Sequence, residues 1–332
     1  MVKVHKVAKT ATHSKSRISA FAKLVRQQPK KTKIGIKTYR KRLQAGKHQI
    51  TSTPELQIPT MQPISRKSIK ESQLKYQIAI PTYKRSDLIQ KKTLAILHNY
   101  NIDPNIITLF VADEEEARDY KEKIPNGLYG KIVVGEKGLK NQRNFISKYY
   151  PENTMIVQFD DDINKIVQLV SRSSSTTKRL QHLDNLDKFI QYAFDICRKN
   201  GIFLWGIYPL AKAHFMVDKI TTDLRFIVGP MWGMINRHSA DLQLTIDEKE
   251  NSERTLQFWS KDKTVLRFNN VAIDTAYYKN KGGMQAEEKD RKAEALKSVH
   301  YLHAKYPDIT KIYLGKKSGM PEIKLLRTKK KD

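Results

Sequence analysis

The chain has 332 residues, of which 39% are apolar and 9% are aromatic. This is enough apolar material for a folded core, and it excludes a wholly disordered protein. The formal net charge of +28 at pH 7 favours a polyanionic partner, with nucleic acid ahead of an acidic membrane or an acidic protein.

Residues 1–75 are predicted to form a basic arm. Residues 1–70 contain 18 Lys or Arg and one acid, Glu55, so this segment carries +17 of the total charge. Its apolar residues are sparse and have no clear period, and we expect the arm to be partly disordered until it binds a partner. A second basic segment, over residues 316–332, is predicted to be a C-terminal tail.

Several absences indicate the compartment in which the protein works. The single cysteine, Cys197, allows no intrachain disulfide. No apolar run approaches the roughly 20 residues that a membrane span needs, and the first residues contain no apolar segment typical of a signal peptide. We therefore expect a protein that is not secreted, has no membrane partner, and works in the cytoplasm, the nucleus or a viral factory.

Residues 76–315 are interpreted as one folded domain in which strands and helices alternate. The first four strands are predicted at the start of YQIAIPTYKR, where Pro81 breaks the run, and at ITLFVAD, KIVVGEKG and TMIVQFDDD, with helical patterns between them. Such alternation predicts an α/β fold with a mostly parallel central sheet flanked by helices. Later helices are predicted over residues 180–199, within IDEKENSERTLQFW and over residues 286–305, and later strands at GIFLWGIYPL, FIVGPMWGMI and VLRFNNVAI.

A polar cluster follows each of the first four predicted strands. Ligands of open α/β sheets bind at the carboxyl ends of the strands, so four polar ends predict one pocket. The clusters are Thr82–Arg85, Asp113–Glu116, Gly135–Gly138 and Asp160–Asp162.

The run Asp160, Asp161 and Asp162 directly follows an apolar strand. Alternate side chains of a strand point to the same side, so Asp160 and Asp162 are predicted to share one side. Two carboxylates there suit Mg²⁺ or Mn²⁺, which prefer oxygen ligands and often bridge to phosphates. Two other interpretations stay open, namely a general acid/base pair and a solvated turn that caps the next helix.

The order of these motifs resembles that of GT-A-fold glycosyltransferases. The matching segments are PTYKR after the first strand, VAD after the second, QRN before the fourth and DDD after it, and the resemblance spans residues 76–278. The segments WGIYPL, FIVGPMWGMINR, KENSERTLQFW and VLRFNN resemble the TET/JBP-associated (base J-type) enzymes that glucosylate hydroxymethylpyrimidines in DNA. The chain has Asn251 where that subgroup often has Asp, and Lys212-Ala213 where it tends to have Asn-Pro.

The resemblance implies a Rossmann-like GT-A domain and gives several residues a role. The donor nucleotide sugar would be bound by Pro81, Thr82, Arg85, Asp113, Arg143, Asp160 and Asp161. The metal ion, Mn²⁺ or Mg²⁺, would be held by Asp160 and Asp162, and the catalytic base would be Glu250 or, as second choice, Glu253. The structural alternatives are a helix cap for Asp113, a surface charge for Arg143 and a charged helix face for the two glutamates.

The implied activity is that of a hexosyltransferase. It would transfer a sugar, glucose from UDP-glucose, with inversion, to the hydroxyl group of a hydroxymethylated pyrimidine in DNA, while the basic arm contacts the DNA phosphates. Two other functions are compatible with the residues. One is an intracellular (viral) glycosyltransferase that acts on protein or glycan, and the other is a non-catalytic basic nucleic-acid-binding protein.

Overall fold

The computed structural model describes residues 74–170, 179–275, 282–283, 290–316 and 318–326. These residues form a mixed α/β structure around a sheet of ten strands. The strands of this sheet are β1 (Tyr76–Pro81), β2 (Ile107–Val111), β3 (Lys131–Val134), β4 (Met155–Phe159), β5 (Ile163–Val170), β6 (Arg179–His182), β7 (Leu204–Tyr208), β8 (Ile220–Thr221), β9 (Met231–Ile235) and β10 (Leu266–Thr275).

Seven α-helices are found among the described residues. They are α1 (Ser86–Ile89), α2 (Ala95–Asn99), α3 (Glu114–Lys123), α4 (Leu139–Tyr149), α5 (Leu186–Asn200), α6 (Glu250–Asp262) and α7 (Arg291–Lys305). A π-helical turn, Gln90–Leu94, connects α1 to α2. None of the helices in the described part of the chain is long and apolar enough to cross a membrane.

The strand order is β3-β2-β1-β4-β9-β7-β10-β5-β6, and β8 pairs with β10. The first four strands in this order, β3, β2, β1 and β4, are mutually parallel. Antiparallel pairings join β9 to both β4 and β7, whereas β7 and β10 are again parallel. The α/β class and the parallel pairing of the first four predicted strands are confirmed.

Apolar side chains cover both faces of the sheet, because successive residues of a strand point to opposite faces. On β1, Ile78 and Ile80 pack in the core shared with α1, α2, α3 and α5. Between them, Ala79 packs in a second core that includes Ile146 of α4 and Phe258 of α6. The sheet therefore lies between two helical layers, and its strand ends stay open for a site.

The structure differs from the prediction at the start of two helices. Helix α5 begins at Leu186 and not at residue 180, because Asn185 caps it and residues 179–182 form β6. Helix α7 begins at Arg291, where the side chain of Asp290 accepts main-chain N–H groups from its first turn, and residues 286–289 of the predicted helix lie outside the described residues. Strands β5 and β6, which follow the aspartate run, were not predicted.

Two strands lie on either side of residue 315, the predicted end of the folded domain. A two-stranded antiparallel sheet forms after α7 from β11 (Thr310–Tyr313) and β12 (Glu322–Leu325). Ile323 of β12 is buried against Val299 and Leu302 of α7, so apolar burial holds the second strand in place. The predicted N-terminal arm lies outside the described residues, apart from its last two positions.

Candidate functional site

A cavity of about 860 Å³ lies at the carboxyl ends of the four parallel strands. Thr82 and Arg85 contribute from the end of β1, Ala112 from the end of β2 and Gly138 from the segment after β3. The aspartate run, residues 160–162, lines it from the end of β4. Three of the four predicted polar clusters therefore line one cavity, whereas the Asp113–Glu116 cluster does not and β2 contributes Ala112 instead. The cavity lies where open α/β sheets bind their ligands.

The opposite wall of the cavity comes from the second half of the chain. It is lined by Thr245, Ile246, Asp247, Glu248, Thr275, Gly283, Asp290, Arg291, Glu294, Lys297, Ser298 and Tyr301. The sequence reasoning missed this wall. Most of its side chains project from α7 and from the loop before α6, and no local pattern connects them to strands that lie far earlier in the chain.

Asp161 is the buried member of the aspartate run. Its Oδ2 accepts a hydrogen bond from Thr82 Oγ1 at 2.8 Å, and its Oδ1 pairs with Arg85 Nη1 at 2.7 Å. Burial raises the pKa of the Asp161 carboxyl to about 6, although the Arg85 guanidinium opposes this rise. Thr82 and Arg85, both predicted donor-binding residues, thus hold an aspartate as well as lining the cavity.

Asp160 and Asp162 are less buried and have different partners. Asp160 Oδ1 pairs with Arg143 Nη2 at 2.9 Å, and Arg143 Nη1 also donates to Gln158 Oε1 at 2.6 Å. Asp162 Oδ1 accepts a hydrogen bond from Thr275 Oγ1 at 3.0 Å. Asp162 Oδ2 also lies 3.6 Å from Arg85 Nη1, so Arg85 and Arg143 together place positive charge beside all three carboxylates.

The two outer aspartates fit a metal ion that is shared with a phosphate ligand. Their side chains are 34% (Asp160) and 15% (Asp162) exposed, and both line the cavity with oxygen atoms, the ligands that Mg²⁺ and Mn²⁺ prefer. No group of three or more His, Cys, Asp or Glu that could hold a metal ion is found in the described part of the chain. Two carboxylates leave the remaining coordination positions to phosphates and water, as in many Mg²⁺ sites.

Asp113 and Pro81 occupy different positions relative to the cavity. Pro81 lines it, whereas Asp113 is absent from its lining. The Asp113 side chain accepts the N–H of Glu116 at 2.9 Å and caps the start of α3. Asp113 therefore acts as a helix cap in this structure, and its role in donor binding stays a prediction.

Glu250 and Glu253, the predicted bases, are absent from the cavity lining, because α6 turns both of them inward. Glu250 Oε2 pairs with Arg254 Nη1 at 2.9 Å, and both side chains are 3% exposed. Glu253 Oε2 accepts the N–H groups of Thr245 and Ile246, which fixes the loop before α6. In this arrangement both carboxylates are engaged by partners within the fold and neither lines the cavity, so their role as the catalytic base stays a prediction.

The ring of Trp232 on β9 lies near two arginines, Arg254 of α6 and Arg143, which pairs with the aspartate run. The Arg254 guanidinium lies 3.6 Å from the ring centre and the Arg143 guanidinium lies 5.6 Å from it. Burial lowers the pKa of Arg254 to about 10 and raises the pKa of Glu250. Arg143, which pairs with Asp160, and the Glu250–Arg254 pair therefore belong to one buried charge network that supports the cavity from behind.

No protein-family model matches the chain. No curated protein matches it either. Solved structures match at low identity. TarS from S. aureus is 12% identical with a TM-score of 0.38, and the match covers 60% of this chain and 59% of the TarS chain. The chain thus spans less than two thirds of that protein's length.

Two further matches are structures with bound ligands. Mannosyltransferase PcManGT from Pyrobaculum calidifontis, in complex with GDP-Man and Mn²⁺, is 11% identical with a TM-score of 0.37 over 68% of this chain and 61% of that chain. Glucosyl-3-phosphoglycerate synthase from Mycobacterium tuberculosis, with Mn²⁺, UDP-glucose and phosphoglyceric acid, is 10% identical with a TM-score of 0.38 over 76% and 86%. These likenesses are distant, and the proposed function rests on the cavity residues.

Proposed function

We propose that the protein is a metal-dependent glycosyltransferase of the GT-A type. The observation that carries the proposal is the placement of Asp160 and Asp162 on a large cavity at the carboxyl ends of parallel strands. The cavity volume of about 860 Å³ lies within the range of small-molecule and cofactor sites. The sequence resemblance to GT-A enzymes involves the same aspartates and the same strand ends.

The donor in this proposal is a nucleoside diphosphate sugar, with UDP-glucose as the expected compound. Lys137 and Lys140 line the cavity beside the aspartates and supply positive charge for a diphosphate. The Tyr83 ring also lines it, with Lys84 Nζ 5.2 Å and Lys137 Nζ 5.7 Å from its centre. A flat ring with flanking ammonium groups suits a nucleobase attached to phosphates.

The aspartates and their arginines prepare the site for the charge that develops on the leaving group. When bound, Mn²⁺ or Mg²⁺ would neutralise the negative charge that grows on the departing diphosphate. Arg85 and Arg143 hold the aspartate run in one arrangement, so little reorganisation is needed during the reaction. Such preorganised electrostatics are usually the largest single contribution to catalysis.

Asp247 is the carboxylate that we propose as the general base in place of the buried glutamates. It lines the cavity, and its Oδ1 accepts the main-chain N–H of Lys140 at 3.0 Å, which orients the side chain. The carboxylate of nearby Glu248 is instead paired with Arg291, whose Nε lies 2.6 Å from Glu248 Oε1. Asp247 would take the proton from the acceptor hydroxyl as its oxygen bonds to the sugar and the diphosphate leaves.

Asp247→Asn is expected to lower kcat by roughly 100- to 10,000-fold, because general base catalysis is typically worth that factor. The KM for the donor should change little, because the main-chain N–H of Lys140 still finds an amide oxygen. Steady-state kinetics at saturating donor measure both constants. The matched control is Asp241→Asn, an exposed acid outside the cavity lining, and a kcat of Asp247→Asn close to that of this control would contradict the assignment.

The acceptor in this proposal is the hydroxyl group of a hydroxymethylated pyrimidine in DNA. The support is the charge of +28, which attracts a polyanion, and the sequence resemblance to base J-type enzymes. The test is mass analysis of nucleosides from duplex DNA that contains 5-hydroxymethyluracil or 5-hydroxymethylcytosine, after incubation with UDP-glucose and Mn²⁺. We expect a gain of one hexose on the modified base. Transfer to peptides or free glycans but not to this DNA would replace the acceptor and keep the transferase.

A further inference from the structure

The small sheet after α7 has one buried face and one open face. Thr310, Ile312, Ile323 and Leu325 alternate inward, and Ile312, Ile323 and Leu325 pack with Leu256, Val299 and Leu302. The other residues of β11 and β12 therefore point away from the domain. We call the outward side of these two strands the ribbon face.

Two lysines lie directly opposite each other on the ribbon face. Lys311 of β11 is the register partner of Lys324 of β12, and both side chains are exposed. Like charges in directly opposed positions of a sheet destabilise it. Glu322, the acid of the two strands, is already paired with Lys249 and Lys316, and no carboxylate of the described residues pairs with Lys311 or Lys324.

An aromatic ring completes the ribbon face. The Tyr313 ring lies beneath Lys324, with Nζ 3.5 Å from the ring centre, and Tyr313 itself is 38% exposed. Leu314, which follows β11, is 59% exposed. Unpaired lysines on an exposed aromatic surface, without a covering element among the described residues, suit a polyanion that also offers flat or apolar groups.

The ribbon face belongs to the same structural unit as the cavity. Helix α7 carries Val299 and Leu302 against the small sheet and carries Lys297, Ser298 and Tyr301 along the cavity. The small sheet that carries the ribbon face is therefore packed on the same helix that lines the cavity.

We propose that the ribbon face binds the phosphodiester backbone of nucleic acid and holds the polymer beside the cavity. The repulsion between Lys311 and Lys324 is then relieved by the phosphates, and Tyr313 contributes stacking or sugar contact. This inference rests on the proposed function, in which the acceptor is a base of DNA. It adds a contact surface that is independent of the N-terminal arm.

The test is binding of the full-length protein to a fluorescein-labelled duplex of about 30 base pairs, without donor or metal. Fluorescence anisotropy is recorded at several salt concentrations for Lys311→Ala/Lys324→Ala. We expect Kd to rise about tenfold or more and the slope of log Kd against log salt to fall by about 2, since each lost phosphate contact removes about 0.9. Melting temperature should change little, because the double variant removes both a repulsive pair and the contact of Lys324 with the Tyr313 ring, and these two losses have opposite signs.

The charge-matched control is Lys121→Ala/Lys188→Ala, which removes two exposed lysines from α3 and α5. Equal Kd and equal salt slope in the two double variants would overturn the ribbon proposal.

If the wild-type protein bound no duplex, both the ribbon proposal and the proposed DNA acceptor would be contradicted. If modified DNA were glucosylated equally well by both variants, the ribbon proposal alone would fail. A loss of binding to anionic phospholipid vesicles, with DNA binding unchanged, would assign the face to a membrane and also overturn the proposal.

Discussion

Asp162→Asn is expected to lower sugar transfer about a thousandfold, the loss typical of removing one preorganised electrostatic element. The Asp162 carboxylate lines the cavity and is held by Thr275. An asparagine keeps the shape and the neutral hydrogen bond but removes the negative charge that a divalent cation requires. The activity should be measured as UDP release over a titration of Mn²⁺, where we also expect a higher Mn²⁺ requirement.

Asp308→Asn provides the control, because Asp308 is exposed and does not line the cavity. We expect this variant to retain wild-type activity and the wild-type Mn²⁺ requirement. A similar result for Asp162→Asn would contradict metal binding by the aspartate run. It would favour the alternative of a non-catalytic nucleic-acid-binding protein.

Arg254→Met is expected to lower the free energy of unfolding by about 3–5 kcal/mol, the usual cost of removing one partner from a buried ion pair. The substitution leaves Glu250 buried without its partner, since the two side chains are 3% exposed and lie 2.9 Å apart. It also removes the guanidinium that covers the Trp232 ring. Urea-induced unfolding, followed by circular dichroism, measures the change.

The double variant Glu250→Gln/Arg254→Met separates the charge effect from the packing effect. Because the glutamine carries no charge, we expect it to recover part of the loss, with a coupling energy of about 0.5–3 kcal/mol. Lys261→Met changes an exposed position on the same helix and should stay within about 0.5 kcal/mol of wild type. If Arg254→Met were as mild as this control, Glu250 and Arg254 would not form a supporting pair.

Much of the fold could be predicted because its signals are local. Strands β1 to β4 are short apolar runs that end at polar clusters, and buried parallel strands have this pattern. β5 and β6 were missed for a physical reason. Asn164 and Lys165 interrupt the apolar residues of β5, and the four residues of β6 are mostly polar and exposed at the sheet edge. Pairing with β10, far along the chain, stabilises β5.

The same difference between local and distant signals explains which parts of the site could be predicted. The aspartate run could be predicted because a strand and its polar end are adjacent in sequence. Its partners could not, since Arg85 lies 76 residues before Asp161 and Thr275 lies 113 residues after Asp162. For Glu250 the sequence offered the role of catalytic base or a place on a charged helix face, but Glu250 and Arg254 are buried in α6 as a pair. Composition does not reveal that two opposite charges compensate each other inside a core.

The most direct test of the proposed site is calorimetric titration of UDP into the protein, with and without Mn²⁺. This measurement needs no acceptor, so it examines the aspartate run and the cavity alone. We predict that Mn²⁺ strengthens UDP binding at least about tenfold, or roughly 1.4 kcal/mol, and that Asp162→Asn loses this gain. Equal affinity with and without Mn²⁺, or an undiminished gain in Asp162→Asn, would contradict a metal-dependent donor site at the ends of the parallel strands.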